Sequence, residues 1–353
     1  MRRSNFPLLA LGACVLLGVS LAEAQPPAAP PQNGPPPTGL VVGSGNYFSP
    51  IVADLDKAVA FYRDGLGLDA QGAPSDLSSN APLMNMFGLP NAKLHQQIAR
   101  TPALAGGVEI VEISAANGKP VERRAQDPGA VTLVATVRDL DATLARLERL
   151  GAPVVTRGGK PVTIANGALR IAVVKDPGGH FVEIAQPAQL PETQAPATQN
   201  VVAMAVRITV SDVDKAMSLY ADALGLKVKS APGEPSGDAT VLGALGVEGG
   251  KYRVGQLQVP ASGFDVRFIE FSGVDRKTVP SNVQDPGSTR MQIRVRDIDA
   301  AIAAFKRFGG EVVSTGGKAL DLPAGNNTLR VAIVRDPNNL FVVLIESPPS
   351  PAG

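Results

Sequence analysis

The sequence predicts an α+β fold assembled from four copies of one β-α-β-β-β unit, and three observations predict it. First, the pattern Asp-aliphatic-Asp occurs four times, as Asp54-Leu55-Asp56, Asp139-Leu140-Asp141, Asp212-Val213-Asp214 and Asp297-Ile298-Asp299. The steps between first aspartates are 139 − 54 = 85, 212 − 139 = 73 and 297 − 212 = 85. Second, a longer period overlies the short one, because 212 − 54 and 297 − 139 both equal 158. Gln126-Asp127-Pro128-Gly129 returns at that offset as Gln284-Asp285-Pro286-Gly287. Third, each Asp-x-Asp separates a run of alternating polarity from a run with helical spacing. The chain therefore reads as a duplicated domain, each copy itself a duplication.

Each element of the unit has its own local cause. The run before each Asp-x-Asp is extended, as in Val206-Arg207-Ile208-Thr209-Val210, where apolar and polar residues alternate with the period of a strand. The first Asp can cap the helix that follows. The helix then carries one apolar stripe at three- and four-residue spacing. The stripes are Leu55, Val59, Tyr62, Leu66; Leu140, Leu144, Leu147, Leu150; Val213, Met217, Tyr220, Leu224; and Ile298, Ile302, Phe305, Phe308. Gly67, Gly151, Gly225 and Gly309 follow these stripes and can end the helices. Further strand-like runs complete each unit, the last ones near 108–114, 180–186, 266–272 and 340–346.

Length and composition agree with two domains. The 353 residues suggest two units at about 150 residues each. Lys+Arg is 33 against 32 Asp+Glu, so bulk charge offers no hold on nucleic acid or an anionic membrane. Trp is absent and aromatics are 4%, which argues against a base-stacking surface.

The first 24 residues read as a cleaved signal peptide: Arg2 and Arg3, an apolar run from Leu8 to Val19, then Ala22-Glu23-Ala24 before Gln25. The expected location is periplasmic or secreted. A lipoprotein box at Leu11-Gly12-Ala13-Cys14 is the lesser reading, because the apolar run continues past Cys14. Cys14 is the only cysteine, so the mature chain has no disulfide, catalytic thiol or cysteine metal site. No segment reaches the roughly 20 apolar residues of a spanning helix. Residues 25–39 form a Pro-rich tether. The two copies are placed at 40–187 and 200–348, joined by a linker at 188–199.

At this point the chain resembles a known family. Asp54-Leu55-Asp56-Lys57-Ala58-Val59-Ala60-Phe61-Tyr62 with Leu66-Gly67-Leu68, and Lys175-Asp176-Pro177-Gly178-Gly179-His180-Phe181-Val182-Glu183-Ile184, are similar to the vicinal oxygen chelate superfamily of glyoxalases, bleomycin-resistance proteins and extradiol dioxygenases. Counterparts recur from Asp212 to Leu226 and from Asp336 to Leu344. The resemblance implies tandem domains in which two βαβββ modules form a cup-shaped mixed sheet with helices outside. We expect each cup to close within one copy.

The resemblance also implies a metal site with about four ligands per cup. A His or Gln would come from each first strand, seven residues before the Asp, and a Glu from each last strand. Carried onto this chain, those positions are Tyr47, Glu112, Thr132 and Glu183 in the first copy, and Ala205, Glu270, Arg290 and Val343 in the second. Neither set matches. The only histidines, His95 and His180, lie at neither position.

Strand parity places Glu112 with Val108 and Ile110, and Glu183 with Phe181 and Ala185, on the cup face. It leaves Val111, Ile113, Val182 and Ile184 for the helices. Two carboxylates with the hydroxyls of Tyr47 and Thr132 could hold a hard cation such as Mg²⁺ or Mn²⁺. The bland reading is a pair of hydrogen-bonded relics. In the second copy Arg290, Gln292 and Arg294 share one face, with Arg207 and Glu270 also turned inward. A guanidinium paired with a carboxylate would take the place of a cation and suit an anionic ligand. The alternative is a set of internal ion pairs. His180 reads as a turn residue rather than a rim acid–base group, and His95 as a candidate base beside Glu112.

The reading that follows is an exported protein that binds a small organic molecule, with an anion as the second copy's preference. No cofactor is expected. The alternative is a lyase, isomerase or dioxygenase using Mg, Mn or Fe at Glu112 and Glu183. A third reading is a scaffold with a decayed pocket. The expected assembly is a monomer or homodimer.

Overall fold

The computed structural model describes residues 39–346 except 102, 103, 105, 116, 263, 325 and 326. The expected signal peptide and nearly all of the expected Pro-rich tether lie outside the described residues. Module 1 holds β1 (Val41–Ser44), β2 (Ser49–Val52), α1 (Leu55–Ala60), β3 (Ser75–Asp76), α2 (Ala81–Met86), β4 (Lys93–Arg100) and β5 (Gly107–Ser114). Module 2 holds β6 (Val131–Val137), α3 (Leu140–Arg149), β7 (Val162–Ile164), β8 (Leu169–Lys175) and β9 (Phe181–Pro187). Module 3 holds β10 (Val201–Val210), α4 (Val213–Met217), β11 (Lys227–Ser230), α5 (Ala239–Ala244), β12 (Lys251–Gln258) and β13 (Asp265–Ser272). Module 4 holds β14 (Thr289–Val295), α6 (Ile298–Arg307), β15 (Glu311–Val312), β16 (Leu320–Ala324), β17 (Asn327–Arg335) and β18 (Phe341–Glu346).

The four helix starts form as their sequences require. Asp54, Asp139, Asp212 and Asp297 are extended, and each side chain accepts the backbone N–H three residues on. A second acceptor reaches each start from the end of the module's last strand. Glu112 accepts Leu55 N, Gln186 accepts Leu140 N, Glu270 accepts Val213 N and Glu346 accepts Ile298 N. Two of the N–H groups that a helix start leaves unpaired are thereby satisfied in every module. Gly67, Gly151, Gly225 and Gly309 all take positive φ beyond the helices, as a C-terminal glycine should. After α1 and α4 the helix continues as a π-helical segment, Phe61–Gly65 and Ser218–Ala223, which hydrophobic spacing does not reveal.

The modules pair differently from the expectation. One sheet runs β15-β17-β18-β14-β2-β5-β4-β3, with β1 on β14 and β16 on β17; the other runs β11-β12-β13-β10-β6-β9-β8-β7. Modules 1 and 4 therefore build one cup (cup I), and modules 2 and 3 build the other (cup II). The seams are antiparallel, β14 on β2 and β10 on β6. The expectation of one cup per copy is corrected. Apolar alternation specifies which face of a strand is buried, but not which edge meets which.

Three apolar cores follow from this topology. The largest joins the helices to the convex faces of both sheets, and includes Tyr62, Leu147, Tyr220 and Phe305. The second fills the concave face of cup I, where Leu83, Met84, Met86 and Phe87 of and after α2 meet Ile51, Val111, Val331 and Val343. The third fills cup II, where Leu242 and Ala244 of α5 and neighbouring Leu245 meet Val134, Ile171, Phe181 and Ile269. Each cup is thus covered by a short helix from its own odd-numbered module.

Candidate functional site

Face assignment decides which of the expected residues can meet a ligand. Glu112 and Glu270 do not enter a cup. They share a strand face with Val108 and Ile110, or Val266 and Phe268, and these residues belong to the helix-side core. Parity grouped the residues correctly, and in module 2 it placed Glu183, Phe181 and Ala185 on the concave face as expected, but in modules 1 and 3 the concave face belongs to the alternate set, which includes Val111, Ile113 and Ile269. The cup carboxylates stand three residues before the capping positions. Those positions hold Glu109, Glu183, Arg267 and Val343 in modules 1 to 4. Glu183 was expected there; Glu109 was missed. Alignment of all four last strands could have found it, since the capping position reads Glu, Gln, Glu and Glu, the mark of a shared structural duty.

In cup I, Glu109 is fully buried and accepts hydrogen bonds from Ser49 Oγ at 2.8 Å and Gln292 Nε2 at 2.9 Å. Arg290 NH2 lies 3.5 Å from the same carboxylate and is likewise buried. Burial pushes the Glu109 carboxyl up, opposed by Arg290 and these donors. Burial lowers the Arg290 guanidinium, opposed by Glu109. The guanidinium carbon also stands 5.3 Å from the centre of the Phe87 ring. The expected pairing of Arg290 with Glu270 is corrected, because they lie in different sheets and Glu270 is on a helix-side face. Arg294 is partly buried beside Gly43, and burial lowers its guanidinium.

In cup II, Arg207 donates to Glu183 in a short, nearly buried ion pair. Arg267 lies opposite Arg207 on the neighbouring strand, and its Nε has no partner. Burial lowers the Arg267 guanidinium, with Glu183 acting against that effect. Thr132 lies opposite Arg207 and completes the group. Two guanidinium groups thus face one carboxylate.

The remaining candidates lie elsewhere. Tyr47 stacks on Phe264 at 4.0 Å between centroids, and its hydroxyl donates to Gly106 O at 3.4 Å. Burial raises its phenol. His95 is opposite Glu112, but on the helix-side face rather than in the cup, with Asp76 at 3.7 Å. His180 is a buried junction residue, not a rim group. Its Nδ1 is 3.0 Å from Asp176 Oδ1 and its Nε2 is 3.0 Å from Ser288 O. Tyr62 OH donates to Asp176 at 2.7 Å.

Neither cup presents a fitting metal donor set. The carboxylate in each is engaged by arginine, and no group of three or more His, Cys, Asp or Glu side chains converges among the described residues. Ligand number and charge are what a divalent site requires.

A cavity of about 610 Å³ opens at one end of cup II. Phe181, Lys175, Arg123 and Arg124 form part of its wall, with Glu248 and Asp275 at 90% and 87% side-chain exposure. Gly246, Gly249, Gly250 and Gly273 form another part, all with positive φ that favours glycine. Lys175 Nζ stands 5.1 Å from the Phe181 ring centre. Arg124 is held by Asp127 and Asp275, while Arg123 donates to Val279 O, Ser281 Oγ and Gly287 O.

The geometry has known counterparts. Glyoxalase I from Zea mays superposes with a TM-score of 0.55 at 17% identity, covering 86% of this chain and 92% of that one. A mutant of the Zea mays enzyme gives 0.57 at 18% identity, covering 86% and 94%. These likenesses establish the fold. No curated protein matches the sequence. The model of the Glyoxalase/Bleomycin resistance protein/Dioxygenase superfamily matches residues 46–184 and 201–342. With paired βαβββ modules, two cups and that match over most of its length, the chain belongs to this superfamily.

Proposed function

We propose that the protein binds a small organic molecule at the open end of cup II, without the family's metal chemistry. The cavity carries this reading. Its volume of about 610 Å³ falls inside the range of roughly 300–1,000 Å³ typical of ligand pockets. Phe181 offers an apolar surface, and the glycine wall lets a flat molecule approach the backbone. Lys175, Arg123 and Arg124 outnumber Glu248 and Asp275, which favours an anionic ligand. The pairing of Glu183 with Arg207 and of Glu109 with Arg290 supports binding without a divalent ion.

The probe is 1-anilinonaphthalene-8-sulfonate, a flat aromatic anion. Titration followed by fluorescence should saturate at one site, and Lys175→Glu should weaken binding about tenfold, or about 1.4 kcal/mol. Equal affinity in wild type, Lys175→Glu and Phe181→Ala would refute the assignment. Export is proposed as well, on the charged and apolar pattern of residues 2–24. Sequencing the mature N-terminus should give Gln25, and a chain that retains Met1 would refute export by this signal.

A further inference from the structure

We infer that His180 is a proton-dependent latch between the two cups, which holds the weaker seam of cup I closed while its ring is protonated. The weakness of that seam has a cause in the sequence. In cup II the seam strand β10 runs unbroken and pairs with β6 from Val201 to Ile208. In cup I the same stretch is split into β1 and β2. The β2–β14 contact holds Thr289 opposite Pro50 and Arg290 opposite Ser49, and β1 rejoins β14 at Val41, Gly43 and Ser44. The 158-residue offset places Gly43, Gly45 and Pro50 where cup II has Val201, Ala203 and Ile208. Glycine weakens a strand interior, and proline gives the ladder no N–H.

At the end of this short seam, one carbonyl gathers three modules. Ser288 O, at the entry to β14, accepts Ile51 N of module 1 at 2.9 Å. It also faces His180 Nε2, from the turn of module 2, at 3.0 Å. The other ring nitrogen, Nδ1, lies 3.0 Å from Asp176 Oδ1. Two acceptors thus claim two ring nitrogens, whereas a neutral imidazole has one N–H. When the extra proton leaves, the carboxylate keeps the remaining N–H as the stronger acceptor. Nε2 then turns a lone pair on Ser288 O, and the tie between module 2 and the cup I seam is lost.

The groups around the ring favour the closed state. Asp176 on its own turn stabilises the cation, and Tyr62, from the segment after α1, donates to that carboxylate at 2.7 Å. Arg123, from the segment before β6, opposes the cation and itself donates to Gly287 O beside Ser288. Phe48, between β1 and β2, stands T-shaped to the imidazole at 6.0 Å between centroids. Burial lowers the ring's pKa, but Asp176 and Ser288 O outweigh it and the direction is upward. The latch is therefore closed below the unfolded histidine value of about 6.5, and opens as pH rises through the raised folded value. The longer seam has no such device. Leu340 stands at the position matching His180, and Ala130 O, the counterpart of Ser288 O, accepts Thr209 N.

The test uses the full mature chain, whose only histidines are His95 and His180. Carbon-13 NMR of the two imidazole rings, assigned with His95→Gln, should show His180 titrating above about 6.5. Amide hydrogen exchange reads the seams. The Ile51 amide donates to Ser288 O in cup I and the Thr209 amide donates to Ala130 O in cup II. Their rate ratio therefore cancels the pH dependence of exchange itself. As pH climbs through the value measured for His180, the Ile51-to-Thr209 ratio should rise about tenfold. His180→Leu, which installs the residue of the other copy, should hold the ratio high at every pH. His180→Gln keeps an N–H for Ser288 O without titrating, should hold the ratio low at every pH, and serves if His180→Leu fails to fold. A ring that titrates at or below about 6.5, a wild-type ratio that is flat with pH, or a ratio that still rises in His180→Gln would overturn the assignment.

Discussion

At the scale of single residues, one turn carries opposite chemistry in its two copies. Asp176 and Asp336 occupy matching buried turns, and each accepts a tyrosine hydroxyl, from Tyr62 and Tyr220. His180 follows the first; Leu340 stands in its place after the second. Both ring nitrogens of His180 face oxygen acceptors, so both can donate only if the ring is protonated. Burial acts to lower the His180 pKa, but Asp176 and Ser288 O outweigh it and the net direction is upward. A raised folded pKa stabilises fully below the unfolded value and is lost as pH rises through the folded value. At Asp336 burial outweighs the hydrogen bonds from Leu340, Asn338 and Tyr220 and pushes the carboxyl up to about 6 from 3.8. Its contribution has the same sign and is lost as pH climbs from about 4 through 6, amounting to about 3 kcal/mol at 1.36 kcal/mol per unit. Thermal melts at stepped pH should show this loss, and Asp336→Asn should flatten it; an unchanged slope in that variant would contradict the assignment. Glu183→Ala leaves Arg207 and Arg267 facing each other without a carboxylate, and should cost about 3–5 kcal/mol in chemical denaturation. Little of this was legible in the sequence. His180 could be read as a turn residue, but its partner Ser288 lies 108 positions away.

At the scale of elements, the sequence was far more legible. The four caps, the apolar stripes and the terminal glycines are local features with local causes, and each appears where its pattern placed it, except that Leu150, just past α3, is 45% exposed. The misreading concerned the faces of the last strands of modules 1 and 3, β5 and β13. Alternation sorts residues into two sets, but both faces of these sheets are apolar, one against helices and one under α2 or α5. Hydrophobicity alone therefore could not say which set lined the cup. The capping contact resolves it. Glu112→Ala should destabilise the protein by about 1 kcal/mol through the loss of one acceptor at the start of α1. Probe binding at cup II should be unaffected, as measured by the same fluorescence titration. A loss of binding without a loss of stability would return Glu112 to the ligand site.

At the scale of the whole molecule, internal repeats announced the duplication but not the partners. Modules 2 and 3 adjoin in sequence and share the β6–β10 seam, while modules 1 and 4 close the other sheet from opposite ends of the chain. A half-chain of residues 40–187 would leave both β2 and β6 without their seam partners. Such edges promote association, so this half should dimerise or aggregate in sedimentation, whereas a stable, folded monomer would contradict the pairing. The same topology places one carboxylate against arginine in each cup, which supports the proposed ligand binding without a metal. The direct measurement is elemental analysis of the mature protein, purified without chelators and then offered Mg²⁺, Mn²⁺, Fe²⁺, Ni²⁺ and Zn²⁺. We expect well under one ion per chain, unchanged by Glu109→Ala or Glu183→Ala. About one bound ion per chain, lost in either variant, would contradict the account and make that cup a metal centre.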